Sequence, residues 1–167
     1  MASAFVKHEK SICNKLKSIV SIHYEGKSIE TIALWDTGAT NSCISKDVVK
    51  DLGLIATGDL PILTPTGDGI VNTYLVDVTL PNNVHVPDIM VCDSEIGNQG
   101  IGMLVGMDII TKGDFAVSNF NGRTTFSFRM PSESTLDFVA GIKTSNLIMA
   151  KRTASTGFSK KMKKKKR

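Results

Sequence analysis

Leu34-Trp35-Asp36-Thr37-Gly38-Ala39-Thr40-Asn41-Ser42-Cys43-Ile44-Ser45 is the stretch whose reading decides the rest of the chain. An apolar run ends in an aspartate followed at once by threonine and glycine, the pattern of a buried strand that delivers a carboxylate into a tight loop. Desolvating a lone carboxylate costs on the order of several kcal/mol, so one is kept beside apolar packing when it is hydrogen-bonded or chemically used. Gly38 omits a side chain where a Cβ would collide, and the Thr37 hydroxyl can bond to backbone across a symmetric loop.

A second apolar segment, Met103-Leu104-Val105-Gly106-Met107-Asp108-Ile109-Ile110, reads as a short strand ending in Gly106, then a helical turn over Met107–Thr111. The Asp-Thr-Gly-Ala loop and this hydrophobic-hydrophobic-Gly-x-Asp segment, in this order, resemble the retropepsin-like aspartic peptidases over about Ile19 to Phe128. The resemblance implies a mainly β fold: a single-lobe closed barrel with a flap hairpin and one or two short helices, acting as a homodimer. It makes Asp36 the catalytic residue, supported by Thr37, Gly38, Ala39, Gly106 and Asp108, with Asp108 a structural hydrogen-bonding group. Polypeptide is the implied substrate, and no cofactor or metal belongs to the chemistry.

That chemistry needs two carboxylates sharing a proton, one a general base toward water and the other a general acid toward the scissile carbonyl; the pair titrates as a unit. The chain carries one Asp-Thr-Gly, so the second Asp36 is expected from another copy. Two departures stand out. Ala39 offers no hydroxyl to the carboxylate, and the Arg–acid pair common in retroviral members is replaced at its two positions by Met107 and Thr40.

Between the two segments, strand-like runs over 56–64 and 70–80 flank Pro65-Thr66-Gly67-Asp68-Gly69. These five residues are the candidate substrate-binding flap tip, because lids need low local stability and residues that absorb dihedral change. Upstream, Ile19–Tyr24 and Ser28–Leu34 alternate around Glu25-Gly26-Lys27 as a hairpin. Ser45 to Gly53 carries an N-cap and a glycine stop, the signature of a short helix. Val84–Cys92 reads as a strand with a bulge or an edge at Pro87. Asn121-Gly122 closes a hairpin between Phe115–Phe120 and Arg123–Phe128. Gly97, Gly100 and Gly102 lack the Lys-Ser/Thr ending of a phosphate loop.

A length of 167 residues suits one domain and excludes a two-lobed architecture. Residues 1–18 read as an arm, either loose or holding a short edge strand; 19–130 form the peptidase-like domain; 131–150 an extension with a short helix over 133–140 capped by Ser132; and 151–167 a basic, disordered tail. Nine Lys and Arg with no acid fall in that tail, so the formal charge of +4 describes the tail and the body is acidic. Such a tail suits weak contact with nucleic acid or an anionic surface, or simple solubility; Phe158 is its one aromatic, too little for base stacking. Cys13, Cys43 and Cys92 are odd in number and lack a Cys-x-x-Cys, which favours reduced thiols and a cytoplasmic setting. No signal peptide or membrane span is read from the hydropathy. Two other function classes fit the same residues: a non-catalytic dimerisation or peptide-binding module on this fold, and a nucleic-acid-associated protein led by its tail.

Overall fold

Alternation explains the first strands. In the computed structural model, which describes residues 1–64 and 67–164, the amino-terminal arm contains β1 (Ser3–His8), with Phe5 buried. In β2 (Lys17–Tyr24), Ser18, Val20 and Ile22 point inward and Ile19 outward. β2 turns into β3 (Lys27–Trp35) through Glu25 and Gly26, both left-handed at φ 45° and 77°, with Tyr24 opposite Lys27. Two positive φ values suit the right-handed twist of a two-residue hairpin.

After the Asp36 loop come β4 (Cys43–Ser45) and α1 (Lys46–Leu52). Ser45 caps α1 by accepting the Val48 N–H at 3.3 Å, and Gly53 stops it at φ 68°. The long hairpin of β5 (Gly58–Thr64) and β6 (Gly67–Leu80) follows, then β7 (Val84–Ser94). The β6–β7 register slips between Val76 and Val78, where the Asp88 N–H donates to Asp77 Oδ1 at 2.8 Å. Pro87 thus marks a bulge rather than an edge. β8 (Met103–Val105) and α2 (Met107–Ile110) lead to β9 (Asp114–Ser118) and β10 (Thr125–Met130), joined through left-handed Asn121 and Gly122.

The strands close into a barrel. Hydrogen-bonded order runs β2-β3-β8-β4-β7-β6, and β6 pairs back onto β2, leaving β5 attached to β6 alone. Most pairings are antiparallel; β3 with β8 and β4 with β7 are parallel. Val20, Ile22, Ile44, Val78, Val86 and Met103 fill the core, each side chain contributing about 1.5–3 kcal/mol by leaving water. A second sheet, ordered β1-β10-β9, settles the amino-terminal arm as an edge strand on β10. Its Phe5, Phe115, Phe126 and Phe128 pack with Trp35, whose ring stacks on Phe115 at 5.2 Å with 3° between planes.

The carboxy-terminal unit departs from the sequence reading. The helix expected over 133–140 under a Ser132 cap starts later: α3 spans Phe138–Lys164, and Asp137 Oδ1 caps it, accepting from Val139 N at 2.8 Å and Ala140 N at 3.0 Å. Ser132 instead donates to Asp114 in the barrel unit. The stretch expected to be disordered from residue 151 is helical as far as Lys164. Phe138, Val139, Ile142, Leu147, Ile148 and Met149 on α3 are all exposed. No helix among the described residues is long and apolar enough to cross a membrane.

Candidate active site

β3 is fixed on both sides just before the loop. The Trp35 indole N–H donates to buried Ser18 Oγ at 2.9 Å, and the Trp35 backbone N–H to Leu16 O at 2.9 Å. The next N–H, that of Asp36, donates to Val105 O at 2.9 Å, so β8 sets where the carboxylate emerges. The Asp36 side chain is half-buried, and its Oδ1 accepts the Gly38 N–H at 2.8 Å. A Cβ on Gly38 would stand 3.1 Å from that same oxygen, so the missing side chain leaves the carboxylate face open. Thr37 is exposed at the loop apex.

The chain then passes in front of the β8–α2 junction and is held there by backbone. Met107 N donates to Ala39 O at 2.8 Å and Asp108 N to Thr40 O at 3.2 Å. Gly106 permits this approach: a Cβ would lie 2.7 Å from the Asn41 carbonyl carbon and 3.0 Å from Ala39 O. Below it, Asp108 closes a network. Its Oδ2 accepts the Ser42 N–H at 2.8 Å, and its Oδ1 accepts the Ser42 hydroxyl at 2.6 Å and the Ile109 N–H at 2.9 Å. Ser42 Oγ in turn accepts the Gly106 N–H at 3.0 Å, so every polar atom of this fully buried serine is used.

Asp36, Thr37, Gly38, Ala39, Gly106 and Asp108, picked from sequence, therefore come together in one braced loop. Ser42 was missed: it follows Thr40 and Asn41 just before β4, and nothing local marks it as buried. Of the flap residues, Gly67, Asp68 and Gly69 begin β6, paired with Thr64, Leu63 and Ile62; Pro65 and Thr66 lie outside the described residues. A cavity of about 390 Å³ opens beside Asp36, lined by Lys15, Leu16, Leu34, Trp35, Thr37 and Phe115. Among the described residues no cluster of three or more His, Cys, Asp or Glu side chains could hold a metal ion.

The sequence profile of a family described as aspartyl protease matches residues 20–109, from β2 through the Asp36 loop to α2. The chain belongs to the aspartyl protease family. Among curated proteins none matches this sequence. Among solved structures, a retropepsin-like aspartic protease from Rickettsia conorii matches with a TM-score of 0.50 at 15% identity, covering 78% of this chain and 96% of its own. EIAV protease in complex with the inhibitor HBY-793 matches at 0.45 and 18% identity, over 58% of this chain and 86% of its own. The retroviral protease-like domain of Ddi1 from Leishmania major matches at 0.41 and 15%, over 65% and 92%. The Rickettsia match fixes the fold of this family member as retropepsin-like, in agreement with its closed barrel and few helices.

Proposed function

We propose that the protein is an aspartic endopeptidase whose active site forms when two copies bring their Asp36 carboxylates together about a two-fold axis. The observation that carries this reading is the Asp36 loop: a half-buried carboxylate at the end of a core strand, one oxygen held by Gly38 N–H, in a loop braced from behind by Gly106, Ser42 and Asp108. Such rigidity suits a group that must hold a water and a substrate carbonyl in register. One carboxylate alone cannot supply both the base and the acid, and the sequence holds one such loop. Exposed Thr37 at the apex is free to reach the partner's loop, as an isologous interface requires.

In this mechanism the dyad carries one proton. The ionised carboxylate takes a proton from water as it attacks the peptide carbonyl, while the protonated one donates to the carbonyl oxygen; the tetrahedral intermediate then collapses with proton transfer to the leaving nitrogen. An extended peptide lies between the loop and the β5–β6 hairpin, with Gly67, Asp68 and Gly69 on the closing side and alternate side chains in pockets such as the one beside Trp35. Three free cysteines support a reducing, cytoplasmic setting. The basic carboxy-terminal residues suit weak contact with nucleic acid or an anionic surface.

Incubation with a proteome-derived peptide library over a range of pH tests this reading. Wild type is expected to cleave with an acid-side optimum, and Asp36→Asn, which fits the loop without carrying the shared proton, to lose about a thousandfold or more of the rate. Near wild-type cleavage by Asp36→Asn, with folding intact, would remove Asp36 from the chemistry.

A further inference from the structure

The cysteines that look unrelated in sequence meet in the fold. Cys43 opens β4, Cys92 lies near the end of β7, and the parallel pairing of these strands sets Cys43 opposite Cys92. Adjacent strands lie about 4.8 Å apart, inside the Cα separation of about 4.4–6.8 Å that a disulfide spans. The register therefore brings the two thiols side by side. The interaction with Cys92, reinforced by burial, pushes the Cys43 thiol well up from its ordinary value, and the same interaction draws Cys92 down. Cys43 is buried and Cys92 half-buried, so the sulfur with the greater thiolate character is also the one a reagent can reach.

The pair stands directly behind the active-site loop. Ser42 O accepts the Cys92 N–H at 3.2 Å and the Cys92 thiol at 3.7 Å, while the same residue's hydroxyl and N–H hold Asp108 and its Oγ receives Gly106 N–H. A bond between these sulfurs would therefore fasten the loop's distal anchor to β7.

We propose that Cys43 and Cys92 constitute a reversible disulfide-forming site, with Cys92 the attacking thiol and Cys43 the resolving one. With a small disulfide such as oxidised glutathione as oxidant, the Cys92 thiolate attacks one sulfur and expels one glutathione thiolate, leaving a mixed disulfide. Cys43 then gives up its proton and attacks Cys92 Sγ, expelling the second glutathione. Two protein thiols become one disulfide and one oxidised glutathione becomes two reduced; excess dithiol reverses both steps. The chemistry needs neither dimer formation nor peptidase activity. Cys13, whose backbone N–H donates to Thr124 Oγ1 in a different part of the barrel unit, takes no part.

The test uses the full chain, reduced and then exposed to oxidised glutathione, followed by alkylation of remaining thiols and intact-mass and peptide analysis. Wild type and Cys13→Ser are expected to lose two alkylatable thiols with no glutathione retained. Their non-reduced digests should contain a Cys43–Cys92 linked peptide that dithiothreitol releases. Cys43→Ser is expected to stop with one glutathione on Cys92, and Cys92→Ser to leave Cys43 unmodified. Retention of all three thiols by wild type, glutathione left on Cys92 as the end product in wild type, or a linkage to Cys13 would each overturn the proposal.

Discussion

The Asp36 loop and the β5–β6 hairpin lie on the same domain and are built by opposite rules. In the loop, main-chain and side-chain donors are matched within a few residues: Asp36 N to Val105, Gly38 N to Asp36, Ser42 to Asp108, Gly106 N to Ser42. The hairpin's outer strand bonds to β6 alone, and Gly58, Asp59 and Ile70 stand exposed. Removing a partner from the loop strands buried donors, whereas changing the hairpin disturbs little packing. A rigid floor and a loosely tied cover are what a site needs if it must hold reacting atoms in place and still admit a polymer.

The sharpest way to break the contrast is Asp108→Ala. It leaves the Ser42 N–H, the Ser42 hydroxyl and the Ile109 N–H without their acceptor, so unfolding free energy in urea should fall by about 2–4 kcal/mol, with Asp108→Asn recovering part. A loss under about 0.5 kcal/mol would mean that the network braces nothing. The hairpin should answer differently. Ile70, 75% exposed, when changed to Asn should leave stability within about 0.5 kcal/mol while kcat/KM for peptides drops about tenfold, the equivalent of about 1.4 kcal/mol of lost apolar contact in the transition state. Unchanged kinetics would separate this hairpin from the substrate.

The smallest expected effect concerns acid. Ser132, the Glu133 N–H and Arg129 all bond to Asp114 and hold its carboxyl well below the usual carboxylate range. Its folded-state pKa lies below the unfolded one, so the unfolded chain takes up the proton first. The stability it contributes is full above the ordinary aspartate range and is lost as pH falls through that range and below. In chemical denaturation at stepped pH, Asp114→Asn should flatten the acid limb of stability and leave the active-site loop unaffected. An unaltered acid limb would show that these bonds carry no linkage.

What could be read from sequence follows the same division. The hairpin at Glu25-Gly26 and the α1 caps at Ser45 and Gly53 depend on residues whose own backbone preferences act locally, and each was legible; at Pro87 the sequence left bulge and edge open, and the register slip decided for the bulge. So were the participants in the loop, because Asp36, Gly38, Gly106 and Asp108 carry a motif. Ser42 and the Cys43–Cys92 neighbourhood were not, since both exist only once β4 lies beside β7 and β8. β1 could not be distinguished from a loose arm because its partner, β10, lies at the far end of the domain. The start of α3 was misplaced because Ser132 found Asp114 as a partner and left the cap to Asp137.

The central claim, that two Asp36 loops make one site, is tested most directly by titrating wild-type enzyme with Asp36→Asn chains at fixed wild-type concentration while following hydrolysis of a cleavable peptide and the oligomeric state by sedimentation. A shared dyad predicts that excess mutant removes nearly all activity through mixed dimers holding one Asp and one Asn, and that diluting wild type alone lowers activity faster than linearly. Activity that stays proportional to wild-type concentration in both series, from a species that sediments as a monomer, would contradict it.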